Sequence, residues 1–193
     1  MDMLDWHGVA GILAGIVSVL AYIPNTRATL ARTNEQKLSS WIIWTSTSLL
    51  LLFSCSRLGI SLGVPIAYFV GNLVTLAALI CKKVPARWGL ADTLSMWAAG
   101  LCLVPWFFFD APVVTTTALL AMDIAGAWPT LRKVIDRPRT ENRAAWALWG
   151  AGYALNLLAV RELTYTQLVY PVMLAVACGS ISVLVLWPRK ARM

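Results

Sequence analysis

The residues able to do chemistry in this sequence lie inside its longest apolar runs, where they recur at helical spacing. Asp123 stands about halfway along the run 112–131, where an ionised carboxylate is expensive and marks a proton-coupling site or the counter-ion of a cationic substrate. Trp41, Trp44, Thr45, Ser48 and Cys55 share one face of a second run, and Trp146, Trp149, Tyr153 and Asn156 share a face of another. Pro65, Tyr68, Asn72 and Thr75 line a further run; Ser18, Tyr22 and Asn25, and then Thr116, Asp123 and Thr130, supply two more stripes. Aromatic faces stack on rings and CH groups while an amide fixes orientation. The expected substrate site is therefore Asn72, Trp44, Trp149, Asn156, Tyr68, Tyr153, Ser48 and Asp123. Trp41 and Trp146 fall near the ends of their runs, where tryptophan commonly marks a membrane interface, so the pair one turn deeper is favoured for the pocket. Asn72 has a plainer use as an interhelical hydrogen-bond donor.

The same residues argue against catalysis. The chain has 1 histidine, His7, expected at the outer surface, and 4 cysteines with no CxxC pair. Hydrolysis or metal chemistry needs clustered His, Asp, Glu or Cys, so no catalytic residue, metal or cofactor is expected. A retinal protein would want a lysine within the last run, which has none.

These side chains must be positioned by membrane-spanning helices. Of 193 residues 59% are hydrophobic and 13% charged, too little charge to cover a soluble domain. Seven stretches approach the length that a bilayer demands, at 8–30, 39–56, 60–81, 89–109, 112–131, 144–160 and 163–187. Residues 1–193 thus form one all-α membrane domain. The acidic flank Met-Asp-Met-Leu-Asp argues against a cleaved signal peptide. All of the 16 lysines and arginines except Arg57 and Arg161 fall in alternate connections and the tail, which puts the N-terminus outside and the C-terminus in the cytoplasm. The net charge of +7 then reads as topology and contact with anionic lipid, not as a nucleic-acid surface.

The chain also repeats itself. Offset by 105 residues, Pro24 falls on Pro129, Arg27 on Arg132, Arg32 on Arg137, Trp41 on Trp146 and Trp44 on Trp149. Runs 1–3 (8–81) therefore match runs 5–7 (112–187), and run 4 (89–109) is a linker helix that restores the orientation of the second copy. Paired prolines at matching positions predict hinges at Pro24 and Pro129. Parallel repeats about an axis normal to the membrane carry substrate near the midplane, at their interface.

With Pro24-Asn25 and Pro129-Thr130 at the cytoplasmic ends of runs 1 and 5, this three-plus-one-plus-three layout resembles the PQ-loop superfamily and the SWEET sugar facilitators over essentially the whole chain. The WxxW pairs Trp41/Trp44 and Trp146/Trp149 are similar to those of the PnuC vitamin-precursor transporters. The family's Pro-Gln is absent, as are the extra prolines that SWEETs carry in helices 2 and 6. The resemblance implies a substrate asparagine in helix 3, matched by Asn72, and a tryptophan in helix 6, matched by Trp146 or Trp149; its helix 7 partner falls on Cys178, with Asn156 as a substitute donor.

The expected function is a transporter, not an enzyme, in the plasma (inner) membrane. It would move a small polar solute such as a sugar, riboside or vitamin-like molecule by alternating access between the repeats. A ligand-binding receptor on the SWEET fold, or a proton-coupled amino-acid exporter using Asp123, are the alternatives. Membrane lipid is an expected partner, and homo-oligomerisation is left open.

Overall fold

The computed structural model describes residues 5–57, 63–82, 88–109 and 111–187. Lys83 and Arg87, and the tail cations Arg189, Lys190 and Arg192, lie outside the described residues, as do the side chains of Cys55 and Pro65. Among the described residues the chain is all helical. Its elements are α1 (Trp6–Leu30), α2 (Leu38–Arg57), α3 (Gly63–Cys81), α4 (Leu90–Phe108), α5 (Pro112–Asp136), a 3-10 turn (Pro138–Thr140), α6 (Arg143–Leu157) and α7 (Tyr165–Leu186).

The helix ends follow local chemistry. Asp5 caps α1 by accepting from the Gly8 N–H at 2.8 Å, and Asn142 caps α6 by accepting from Ala145 N–H at 2.9 Å. Proline opens α5, where a missing N–H costs nothing. At the end of α1 the Thr33 N–H reaches Ala28 O (2.9 Å) and the Arg32 N–H reaches Thr29 O (3.1 Å), with Arg32 in the left-handed region at φ 57°. A second anchor holds that turn, because the Arg32 guanidinium donates to Lys82 O at 2.7 Å.

The sequence puts α5 at 112–131, but the helix runs on to Asp136. The charges Arg132 and Lys133 that signal a loop lie within the helix, and Lys133 in its last turn complements the helix dipole. Run 6 is expected to extend to residue 160 and stops at Leu157. Among the described residues three helices are long and apolar enough to cross a membrane: Trp6–Leu30, Leu90–Phe108 and the Gln167–Leu186 part of α7. Leu38–Ser54 and Ile66–Cys81 are shorter apolar helices. α5 is long but carries Asp123, Arg132, Lys133 and Asp136, and α6 has only 15 residues.

Six helices close into a ring. α3 packs between α1 and α2, α7 packs between α5 and α6, and the two sets meet through α1 against α6 and α2 against α5. α4 stays outside the ring against α5 and α2. The distribution of polarity is the reverse of a water-soluble bundle. Asn25, Thr29, Ser39, Ser40, Thr47, Ser48 and Thr75 are fully buried, whereas Trp97, Leu101, Phe107 and Phe108 on α4 are 68–79% exposed. Large contiguous apolar surface of that kind is rare on soluble monomers.

Candidate functional site

The inner faces of α2 and α6 each bring two tryptophans, one turn apart, to the middle of the ring. Trp41 and Trp44 pack edge to face at 5.4 Å, and Trp146 and Trp149 do so at 5.3 Å. Trp41 lies 6.1 Å from Trp149, and Trp44 lies 6.5 Å from Trp146, so the four rings form a closed square. Trp41 and Trp146 are only 3% exposed, which removes them from any interface belt and puts them in the site with their deeper partners. Gly126 on α5 makes room for this packing, since a Cβ there would sit 2.9 Å from Trp44 Nε1.

These rings wall a cavity of about 40 Å³, space for a few waters. Tyr22, Tyr68, Asn72, Asp123 and Tyr153 complete much of the lining, and Met173, Leu174, Ala177, Cys178 and Ile181 close it along α7. Six of the eight residues expected from sequence therefore meet here: Trp44, Tyr68, Asn72, Asp123, Trp149 and Tyr153. Ser48 and Asn156 are not in the lining. The Ser48 hydroxyl is fully buried and donates back to Thr45 O at 2.9 Å within its own helix. Asn156 belongs to the last turn of α6, about two turns beyond Trp149.

Most polar atoms of the lining are already engaged. Tyr22 OH donates to Asn72 Oδ1 at 2.9 Å, and Asn72 Nδ2 donates to Trp44 O at 3.2 Å. Trp44 Nε1 donates to the Asp123 carbonyl at 3.4 Å, and Trp146 Nε1 donates to Glu141 Oε2 at 3.0 Å. Asp123 is 2% exposed. Its Oδ2 accepts from Tyr170 OH, while its Oδ1 is buried without a hydrogen-bond partner. The Thr47 hydroxyl, which donates to Ile43 O at 3.0 Å, also lies within reach of the carboxylate.

Pro24 is half-buried and Pro129 is buried, and both α1 and α5 continue for more than a turn beyond them. The residues that follow are tied down. Asn25 accepts from Gln36, and the Thr130 hydroxyl lies 2.9 Å from that of Ser40. Beyond this level the basic connections seal the bundle. The Glu35 N–H donates to Thr140 O at 2.8 Å, and Arg137 pairs with Glu35 at 2.7 Å. Lys133 donates to both Glu141 and Glu35 O in a fully enclosed ion pair. Asp92 pairs with Lys37 at 2.7 Å and accepts from Ser39. His7, expected at the outer surface, lies with Nδ1 3.1 Å from Leu158 O.

Sequence reasoning did not single out Tyr170 or the Lys133–Glu141 pair. A signal for Tyr170 was present, because Tyr170, Met173, Leu174, Ala177, Cys178 and Ile181 follow the i, i+3, i+4, i+7 rhythm of one helical face. No such signal marks the ion pair, whose members fall in a stretch that reads as a charged loop. Among the described residues no group of His, Cys, Asp and Glu is placed to hold a metal. Searched against family models, curated proteins and solved structures, the chain finds no match.

Proposed function

We propose that this chain is a seven-helix integral membrane transporter, in which two three-helix units, α1–α3 and α5–α7, rock about a central solute site. The observation that carries this reading is the cavity itself. It lies where α1, α2, α3, α5, α6 and α7 converge, lined by aromatic rings and a buried carboxylate, in a bundle whose outside is apolar and whose inside is polar. The packing order supports two like units. α3 sits between α1 and α2 as α7 sits between α5 and α6, and α4 stands apart as the crossing that gives both units one orientation. On this reading α2, α3, α5 and α6 also cross the bilayer, their polar groups being turned to the cavity and to one another.

The closure fits alternating access. The free space is small, and the connections on the basic face are latched by Glu35, Lys133, Arg137, Thr140 and Glu141. That face is cytoplasmic by the charge rule, so the conformation is shut toward the cytoplasm, and releasing the latch opens the site to that side. Pro24 and Pro129 are the points at which α1 and α5 can bend, because each lacks one rung of the backbone ladder.

Thermal unfolding of the detergent-purified protein, against small sugars, nucleosides, vitamins, amino acids and amines, tests this function. A solute at ten times its dissociation constant adds about 1.4 kcal/mol. We expect a stabilising solute whose effect is lost in Asn72→Ala and Trp149→Ala, and saturable flux of that solute into liposomes. Stabilisation that survives both substitutions, or binding without flux, would count against the proposal.

A further inference from the structure

We propose that the solute is a small organic cation, held by Asp123 as its counter-ion and by the tryptophan square as its wall. This deepens the transporter reading and rests on it for the location of the site.

The argument is one of supply. A neutral polyol needs several free donors and acceptors around it, because each buried hydroxyl left unpaired is costly. The cavity has few acceptors to offer. Both ends of the Asn72 amide are occupied, Trp44 and Trp146 have spent their indole N–H groups, and Thr47 bonds its own helix. What remains open is the unpartnered Oδ1 of Asp123, the aromatic surfaces, the hydroxyls of Tyr68 and Tyr153, and the indole N–H groups of Trp41 and Trp149, which can donate but not accept. No lysine, arginine or histidine lines the cavity among the described residues. The nearest basic residue on the same helix, Arg132, is nine positions on, about 13 Å along a helix of ordinary rise. Lys133 is held by Glu141 and the Glu35 carbonyl. A carboxylate enclosed without a cation is satisfied either by a proton or by a cation from outside.

Aromatic walls decide which cation. A proton alone has no use for four indole rings, and a strongly hydrated metal ion needs a cage of oxygens. An alkylammonium or a flat heteroaromatic cation uses both features, since its charge is spread over a weakly hydrated body that gains from the face of tryptophan. Tyr170 contributes by donating to Asp123 Oδ2, which fixes the carboxylate with Oδ1 left over for the ligand.

The test compares choline, tetramethylammonium and N-methylpyridinium with 3,3-dimethylbutan-1-ol, the uncharged isostere of choline, and with sodium chloride at equal ionic strength. Binding to the purified wild-type protein is read by quenching of tryptophan fluorescence and by thermal stabilisation. Saturable binding of at least one organic cation is expected, about tenfold or more tighter than the isostere. Asp123→Asn should erase that preference, and Trp149→Ala should weaken the cation by about fivefold to thirtyfold. Isostere and choline binding equally, sodium alone reproducing the effect, or no cation in the series binding would each overturn the proposal. These comparisons on the wild type do not depend on a variant folding. Liposome flux separates the two claims. Cation binding without flux keeps the cation site and removes the transporter, whereas flux of a neutral solute that Asp123→Asn tolerates does the opposite.

Discussion

Lys133 and Glu141 show how much a single side chain can matter in this bundle. Both are 3% exposed at the side chain, and Glu141 also accepts from Trp146 Nε1. Removing one member leaves the other charged and enclosed, which costs about 3–5 kcal/mol. Lys133→Met should therefore lower stability by that order in chemical denaturation of the detergent-solubilised protein. Adding Glu141→Gln should return much of the loss, since the charge is gone and a side-chain carbonyl still faces Trp146. A single variant as stable as wild type would mean that the pair is bathed in water. At this scale, residue type decided what could be read. Asp123 and the tryptophan pairs declare themselves against an apolar background, whereas Lys133 and Glu141 read as topology charges and are interior groups. Ser48 fails for the opposite reason. A serine on the correct face can satisfy itself on its own helix and offer nothing to a ligand.

At the level of helices, α1 and α6 come into close contact where Gly152 meets Ser18. A Cβ on Gly152 would lie 2.3 Å from Ser18 Oγ and 3.1 Å from Ser18 N, so backbone as well as side chain would have to move. Gly152→Ala should cost about 1–3 kcal/mol through overpacking, seen as a lowered unfolding midpoint. Gly100→Ala on α4 is the matched control, because nothing lies within 4 Å of its added carbon, and it should be neutral or slightly stabilising. The existence of every helix was legible, because hydrophobic length and period do not depend on context. Two ends were not. α5 continues through Pro129, Arg132 and Lys133 to Asp136, and such charges also mark a loop, so only packing against the connection to α6 decides between the two.

Taken whole, the molecule is latched on one side by connections distant in sequence. Glu35 and Thr140 are joined through their backbones at 2.8 Å, which places their Cα atoms within the range a disulfide can span. If the halves separate there during transport, Glu35→Cys with Thr140→Cys should form a bridge under oxidation and stop flux, and reductant should restore it. Flux that continues with the bridge formed would mean that this face does not open. The helix complement and the aromatic faces were legible in the sequence, and so was the offset between the two proline and tryptophan series. The latch was not, because it joins residues about a hundred positions apart whose types are ordinary for surface loops.

The thiol of Cys178 lies in the cavity wall beside Tyr22, Tyr153 and Trp149. Cys81 is exposed and Cys102 is half-buried elsewhere. In a chain whose other three cysteines are replaced, Cys178 would be a clock for the conformational cycling proposed above. A water-soluble alkylating reagent can reach it only during the intervals when the bundle parts, so the labelling rate measures how often that happens. A bound occupant should slow the reaction in proportion to its occupancy, and the bridged Glu35→Cys/Thr140→Cys form should slow it from one side of the membrane only. If the bundle opens as proposed, the protein contains the means of timing that opening, with no reporter residue added.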